Sequence, residues 1–218
     1  MKAFVAGATG QTGSRIVTEL IDRGIEVKAL IRDLAKAQEL LPSQVELIVG
    51  DVLKPETFSS HLADCQILIC ATGAAPSLDF TQPYLVDYQG TKNLVVAAKD
   101  QKIEQFVMVS SLCVSKFFHP LNLFWLVLWW KKQAENYLEQ SGLDYTIIRP
   151  GGLKNEDDSS NLVLSEADAL FEGSIPRQRV AQVCVEALSQ ANAKNRILEI
   201  VTSTDAAPKN WQQLLSGN

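Results

Sequence analysis

Three glycines close to the start of the chain have the spacing of a phosphate-binding turn. Gly7, Gly10 and Gly13 follow the apolar residues 3–6 and precede an amphipathic segment that includes Ile16. This order predicts a strand, a tight turn at Gly7, a backbone at Gly10 that a pyrophosphate can approach, and a helix that lies close to the strand at Gly13. The helix N-terminus adds free N–H groups and the positive end of a dipole. The predicted contacts of a dinucleotide are Gly7, Thr9, Gly10, Gln11, Thr12 and Gly13.

The residue at the end of the second predicted strand bears on which dinucleotide binds. In such a fold an acidic residue here bonds the ribose 2′-hydroxyl of NAD, whereas an arginine accommodates the 2′-phosphate of NADP. The chain has Arg32 at this place, and Asp33 follows it and is expected to point into solvent. We therefore predict NADP as the cofactor, with Lys36 as a second candidate contact for the phosphate.

Small and polar residues also follow the other predicted strands. The carboxyl ends of parallel strands share one rim of a sheet, and ligands of open α/β folds bind at that rim. We therefore expect these turns to line one cleft. The further candidates for cofactor binding are Asp51, Val52, Ala71, Thr72, Gly73, Ser110, Pro150, Gly151 and Gly152.

Strands and helices alternate along most of the chain, which predicts an α/β fold: a doubly wound parallel sheet of the Rossmann type. We expect one dinucleotide-binding domain over residues 1–218, with a small substrate-side portion near the C-terminus. The predicted strands cover 3–6, 26–31, 45–49, 66–70, 105–109, 145–148 and 197–201. The predicted helices begin near residue 12 and cover 34–41, 55–62, 84–102, 131–141, 178–190 and 211–215.

Composition argues against several other classes of function. The 218 residues carry a net charge of −5 without a basic run, which argues against nucleic acid as a partner. The four cysteines form no Cys-x-x-Cys pair and the chain has two histidines, so we expect no metal site. Unpaired cysteines are typical of a reducing compartment, and we expect no signal peptide ahead of a strand that begins at residue 2. We therefore expect a cytoplasmic protein.

Four segments of the chain resemble the atypical short-chain dehydrogenase/reductases. They are GATGQTG at 7–13, VSS at 109–111, WKKQAE at 130–135 and SGLDYTIIRPGGL at 141–153. This group includes NmrA-like and flavin-reductase-like proteins and NAD(P)-binding proteins of plants and cyanobacteria, and the similarity extends over nearly the whole chain. The resemblance implies that Asp51 and Val52 border the adenine and that Lys131 contacts the nicotinamide ribose. It also implies that Ser110 and Ser111 orient a substrate, so Ser111 and Lys131 are the candidate catalytic residues.

The resemblance is incomplete at one position. Orthodox members of the family have a tyrosine four residues before the lysine, which passes a proton during hydride transfer; here that residue is Val127. The literal match Tyr88-x-x-x-Lys92 falls on the helix before the fifth strand, and we interpret it as structural. We predict NADP(H)-dependent hydride transfer to a small or medium hydrophobic acceptor, such as a quinone, a flavin or a carbonyl compound. The alternative is a non-catalytic NADP(H)-binding redox sensor or assembly factor that acts through a partner protein.

Residues 117–130 are unusually apolar and contain three of the four tryptophans. The stretch is interrupted by His119, Pro120 and Asn122 and is too short to span a bilayer. We favour a core helix with an aromatic lid beside the nicotinamide. The other interpretation is an exposed surface that contacts a large hydrophobic substrate, a membrane surface or a partner protein. The polar residues 155–161 are expected to form a solvated loop, and the oligomeric state stays open.

Overall fold

The computed structural model describes residues 1–74, 78–123, 125–157 and 159–215. Ten strands of these residues form one sheet in the order β3-β2-β1-β4-β5-β6-β10-β9-β7, with β8 paired to β10. The strands are β1 (Lys2–Ala6), β2 (Glu26–Ile31), β3 (Glu46–Val49), β4 (Ile67–Cys70), β5 (Gln105–Val109), β6 (Tyr145–Pro150), β7 (Gly152–Lys154), β8 (Asn161–Glu166), β9 (Ser174–Pro176) and β10 (Arg196–Ser203).

The central part of the sheet is parallel, as predicted. Neighbouring pairs from β3 to β6, and the pair of β6 and β10, all run in the same direction. The strand order reverses beside β1, which has β2 on one side and β4 on the other. Such a reversal opens a crevice at the carboxyl ends of the strands, where ligands of this fold bind.

The sheet departs from the parallel arrangement at its C-terminal side. Strands β8 and β9 pair antiparallel with β10, and none of β7, β8 and β9 was predicted from the sequence. The side chains of β8 are half-buried on both faces, so the strand has neither a continuous apolar run nor a clear alternation. Periodicity therefore gives no signal there.

Helices cover both faces of the sheet, as the doubly wound architecture requires. The α-helices are α1 (Gln11–Asp22), α2 (Leu34–Leu40), α3 (Thr91–Asp100), α4 (Val127–Glu139), α5 (Arg177–Glu186) and α6 (Trp211–Leu215). Short 3₁₀ turns cover Pro55–Thr57, Ser59–Leu62, Pro120–Leu123 and Ala191–Ala193. Alternate residues of β1 show the two layers: Ala3 and Val5 belong to a core with α1 and α5, and Phe4 and Ala6 to a core with α3 and α4.

Three predicted helices differ from the observed ones. The segment predicted as one helix over 84–102 is a π-helix over Pro83–Gly90 followed by α3. The helix predicted over 131–141 begins earlier, at Val127, and the segment 55–62 is two 3₁₀ turns. A π-helix is rare and short, so a helical segment in a sequence is interpreted as an α-helix by default.

Candidate functional site

The glycine turn between β1 and α1 has the geometry that its spacing predicts. Gly7 has a φ of +82°, and the N–H of Gly10 donates to the carbonyl oxygen of Gly7 at 2.9 Å. A Cβ on Gly13 would lie 2.0 Å from that same oxygen, so the turn and helix approach too closely for any side chain there. A Cβ on Gly10 would meet only the Gly7 oxygen, at 3.1 Å. Gly7 and Gly13 therefore serve the fold, whereas Gly10 leaves room above the turn.

The N-terminus of α1 is open for an anion. Gly10 is the N-cap residue and, without a side chain, offers no capping hydrogen bond to the first N–H groups of the helix. Gly10 and Gln11 are exposed and Thr12 is half-buried, so the first turn reaches solvent. A helix start of this kind binds phosphate through its N–H groups and its dipole.

A cleft of about 450 Å³ begins at this helix end and follows the carboxyl rim of the sheet. It brings together eleven of the predicted site residues: Gly10, Gln11, Thr12, Ala71, Thr72, Gly73, Ser110, Ser111, Lys131, Pro150 and Gly151. Ala74, Val109, Leu153 and Arg177 also line it. Gly7, Thr9 and Gly13 belong to the glycine turn but do not line the cleft, and Gly152 is exposed in β7.

The predicted adenosine-side residues lie outside this cleft, beyond the ends of β2 and β3. Arg32 is exposed directly after β2, and no hydrogen bond or ion pair holds it among the described residues. Asp33 is exposed, as expected, and its side chain is also the N-cap of α2, where it accepts from the N–H of Lys36 at 3.1 Å. The one carboxylate next to Arg32 in sequence is therefore already used by a helix.

Asp51 and Val52 form a turn after β3. The Asp51 carboxylate accepts the N–H of Leu53 at 2.9 Å, and the carbonyl oxygen of Val52 accepts from the side chain of Asn93 at 2.8 Å. A Cβ on Gly90 would lie 2.7 Å from Val52, so the π-helix packs tightly against this turn. The predicted contact of both residues with the adenine stays a prediction.

Lys131 has a partner that sequence reasoning missed. Its ammonium lies 2.8 Å from a carboxylate oxygen of Asp87, and the other oxygen of Asp87 accepts the N–H of Ala74 at 3.2 Å. Burial by itself lowers the pKa of Lys131, but the attraction of Asp87 outweighs it and the pKa lies above the ordinary lysine value. The sequence contains this acidic residue within a helical segment, but the π-helix determines that its carboxylate faces the protein interior.

Ser110 offers the cleft a hydroxyl group that no other group uses. Its side chain is buried, with 5% of the residue exposed, and its oxygen has no hydrogen-bond partner among the described residues. Buried hydroxyls are ordinarily hydrogen-bonded, so this one points to a ligand or an ordered water. Ser111 lines the same cleft and is half-buried.

No tyrosine stands among the described residues that line the cleft. Val127 is half-buried in the first turn of α4. The ring of Tyr88 packs 5.8 Å from that of Trp130, while the ammonium of Lys92 lies 5.3 Å from the centre of the Tyr137 ring. Tyr88 and Lys92 therefore have separate packing partners, and neither lines the cleft.

A buried charge network behind the cleft was also missed from the sequence. Arg149, fully buried at the end of β6, forms two hydrogen bonds to Glu135 of α4 at 2.7 and 3.0 Å. It also contacts Glu199 of β10 at 3.2 Å and Asp168 at 2.9 Å. Burial opposes the charge on Arg149, but Glu135 outweighs it and the pKa is raised. The network holds α4, with Lys131 four residues before Glu135, against the strand that leads to Pro150 and Gly151.

The preference for a core helix over residues 117–130 is wrong. Most of its large apolar side chains are exposed, among them Phe118 at 96% and Leu123 at 82%, while Leu128 is buried. The rings contact one another at the surface: Phe117 lies 5.4 Å from Trp129, and Trp125 lies 5.8 Å from Phe80. Phe124 lies outside the described residues. We call the exposed apolar side chains of 117–130 the aromatic surface.

No described helix combines the length and the apolar character needed to cross a bilayer. Among the described residues, no group of three or more histidine, cysteine and acidic side chains is placed to hold a metal ion.

Comparison with known proteins identifies the family. The model of an NAD(P)H-binding family matches residues 7–191. An uncharacterized chloroplast protein of Arabidopsis thaliana is 43% identical over 99% of this chain and 81% of its own length. The chloroplast protein TIC 62 of the same plant is 37% identical over 97% of this chain, which spans 37% of that protein. Sanguinarine reductase of Eschscholzia californica is 29% identical over 99% of this chain and 95% of its own length.

The two Arabidopsis relatives are chloroplast proteins, so the expectation of a cytoplasmic protein is wrong. A solved structure supports the fold: a proposed NAD-dependent epimerase/dehydratase of Bacillus halodurans superimposes with a TM-score of 0.84. It is 29% identical, and the match covers 93% of this chain and 94% of that one. The chain therefore belongs to the NAD(P)H-binding family and is an atypical short-chain dehydrogenase/reductase.

Proposed function

We propose that this protein binds NADP(H) and transfers hydride from it to a small or medium hydrophobic acceptor. The observation that carries the proposal is the cleft, in which the unpartnered hydroxyl of Ser110 and the ammonium of Lys131 line the same space. A hydroxyl and an ammonium that line one cleft can orient a nicotinamide and an acceptor next to each other, which is the arrangement that hydride transfer needs.

The residues present fit a dinucleotide. Gly10 leaves room where a pyrophosphate would pass, and the first N–H groups of α1 are free to bind it. The charged ammonium of Lys131 would hold the nicotinamide ribose, and the Ser110 hydroxyl would donate to an oxygen of the nicotinamide or the acceptor. When bound, the nicotinamide would supply the hydride.

NADP rather than NAD is favoured by the residues after β2. Arg32 is exposed and without a partner among the described residues, so its five donors are free for a phosphate. Asp33, which would repel a 2′-phosphate or bind a 2′-hydroxyl, is engaged as the N-cap of α2. Exposed Lys36 lies within the first turn of that helix and adds positive charge at the same end.

The missing tyrosine favours acceptors that take their proton from water. Asp87 holds Lys131 as an ammonium with a raised pKa, which makes it a hydrogen-bond donor rather than a proton source. Val127 has no proton to give. Quinones and flavins accept hydride and then a proton from solvent, whereas a carbonyl compound needs its proton as the hydride arrives.

The test is NADPH oxidation with a panel of quinones, free flavins and aldehydes. We expect turnover with at least one quinone or flavin. In Ser110→Ala we expect a loss of about five- to thirtyfold in kcat/KM, because one hydrogen bond to the reacting group is typically worth on the order of 1–2 kcal/mol. Ser60→Ala, at an exposed serine away from the cleft, is the matched control. NADPH binding without turnover on any acceptor would reject the reductase function.

A second candidate is a non-catalytic NADP(H)-binding redox sensor or assembly factor. The aromatic surface favours it, because exposed apolar groups of this size are typical of contacts with a protein or a membrane surface. The proposal predicts that this surface binds its partner differently with NADPH and with NADP⁺ present. Equal retention of a partner in both states, together with turnover on the acceptor panel, would exclude this candidate.

A further inference from the structure

Helices α1 and α5 lie side by side and point the same way. Gln178, near the start of α5, contacts Glu19 of α1 at 3.4 Å, and Glu186 at the end of α5 pairs with Arg23 at 3.1 Å. Both helices therefore begin at the carboxyl rim of the sheet, α1 after the glycine turn and α5 at Arg177.

The side chain of Arg177 is directed into the cleft by the strands before it. Strands β7 and β9 pair in parallel, which places the residues after β7 beside the start of α5. One terminal nitrogen of Arg177 donates to the side-chain oxygen of Asn155 at 2.8 Å and to the carbonyl oxygen of Leu153 at 3.3 Å. These bonds hold the guanidinium at the cleft, and its other nitrogens have no hydrogen-bond partner within the described ranges of the chain.

The charge of Arg177 is not compensated by a carboxylate. No acidic group lies within ion-pair distance of it among the described residues, and both of its hydrogen-bond partners are neutral. Burial lowers the pKa of Arg177, and the charge of Arg15 in the first turns of α1 lowers it further. Two arginines therefore share one region of positive potential at the helix starts, in a chain whose net charge is −5.

The rest of the cleft does not neutralise this charge. Among the described residues, the lining of the cleft includes no aspartate or glutamate, and the ammonium of Lys131 is already paired with Asp87. The buried hydroxyl of Ser110 lines the same cleft and has no hydrogen-bond partner in the part of the chain that the structure describes, which independently points to a ligand or an ordered water in this space.

We propose that Arg177 is an anion-binding residue of the cleft. Its ligand is an anionic oxygen group, supplied either by the pyrophosphate of the cofactor or by an acidic group on the acceptor. The inference rests on the proposed function, since both sources belong to the same site. A guanidinium donates two parallel hydrogen bonds to such a group, and Asn155 orients the guanidinium without neutralising its positive charge.

Two variants test this charge in different ways. Arg177→Gln removes the guanidinium, and Asn155→Asp keeps it but supplies a carboxylate at the hydrogen bond that now measures 2.8 Å. Arg179→Gln is the matched control, because Arg179 is on the same helix but does not line the cleft and contacts Gln182 and Asp157. Calorimetry measures the affinity of each protein for NADPH and for an adenosine bisphosphate, which has no pyrophosphate link. On NADPH-saturated protein it then measures the affinity for a naphthoquinone carboxylate and for the corresponding carboxamide.

The two sources give different results. If the pyrophosphate is the ligand, both variants lose at least about tenfold in affinity for NADPH, which is the loss expected for a charge-assisted hydrogen bond. Their affinity for the bisphosphate then stays unchanged. If the acceptor supplies the anion, NADPH affinity stays within twofold and the carboxylate loses about tenfold relative to the carboxamide. If the affinity for every ligand changes by less than twofold in both variants, the inference about Arg177 is overturned but NADPH binding is not. If the unmutated protein does not bind NADPH, the proposed function itself is overturned.

Discussion

Replacing Asp87 by asparagine tests the pair that holds Lys131. The ion pair measures 2.8 Å, with 1% of the Asp87 side chain and 14% of the Lys131 side chain exposed. Removal of one partner from a buried pair costs about 3–5 kcal/mol, because the remaining charge loses its compensation. Asparagine keeps an acceptor for the N–H of Ala74, so we expect the lower end, about 3 kcal/mol of unfolding free energy near neutral pH.

The loss should depend on pH in a defined direction. In the unmutated protein the raised pKa of Lys131 makes its stabilising contribution complete below the ordinary lysine pKa of about 10.4, and this contribution is lost as pH rises through the folded-state pKa. Without Asp87, burial lowers the pKa of Lys131 instead, so the variant gains stability as pH rises toward about 10.4. The difference in unfolding free energy between the unmutated protein and Asp87→Asn is therefore largest near neutral pH and becomes smaller at alkaline pH.

Urea unfolding followed by circular dichroism, near neutral pH and near pH 10, measures both quantities. The double variant Asp87→Asn with Lys131→Met should recover more than half of the loss, because no unpaired charge remains. Asp144→Asn is the control: it also loses a lysine partner, but the side chains of Asp144 and Lys194 are 45% and 41% exposed, so the change should stay within about 1 kcal/mol. A loss in Asp87→Asn that is below about 1 kcal/mol, or the same at both pH values, would refute the reasoning.

Three further predictions concern the cofactor and the chemistry. Arg32→Ala should weaken NADP binding at least tenfold and leave NAD nearly unchanged, since a guanidinium–phosphate contact is worth on the order of 1.5–3 kcal/mol; equal affinity of the unmutated protein for both would show that Arg32 is not the determinant. Gly10→Val should abolish cofactor binding in calorimetry while thermal unfolding stays near normal, whereas Gly13→Ala should destabilise the fold, because its Cβ would lie 2.0 Å from the Gly7 oxygen. Val127→Tyr should add aldehyde reduction to the acceptor panel by restoring a proton donor four residues before Lys131; no gain would mean that this residue does not reach the reacting atoms.

Local features of the sequence determined the framework of this protein. The glycine spacing at residues 7–13 identifies the turn because the backbone conformation at Gly7 and the close packing at Gly13 depend on neighbours within a few positions. The apolar runs that became β1, β2, β4, β5 and β6 were readable for the same reason: continuous buried strands have a local pattern. The resemblance to the family added the lysine of α4 and the serines after β5.

Tertiary structure alone decided the charges and the surface of the site. Asp87 and Lys131 are distant in the chain, and so are Arg149 and Glu199; only the assembled sheet and its helices bring each pair together. The direction of Arg177 depends on the pairing of β7 with β9, which has no periodic signal. The aromatic residues 117–130 looked like a core segment because apolar composition predicts burial, but burial requires a facing element, and among the described residues Phe118 and Leu123 have none.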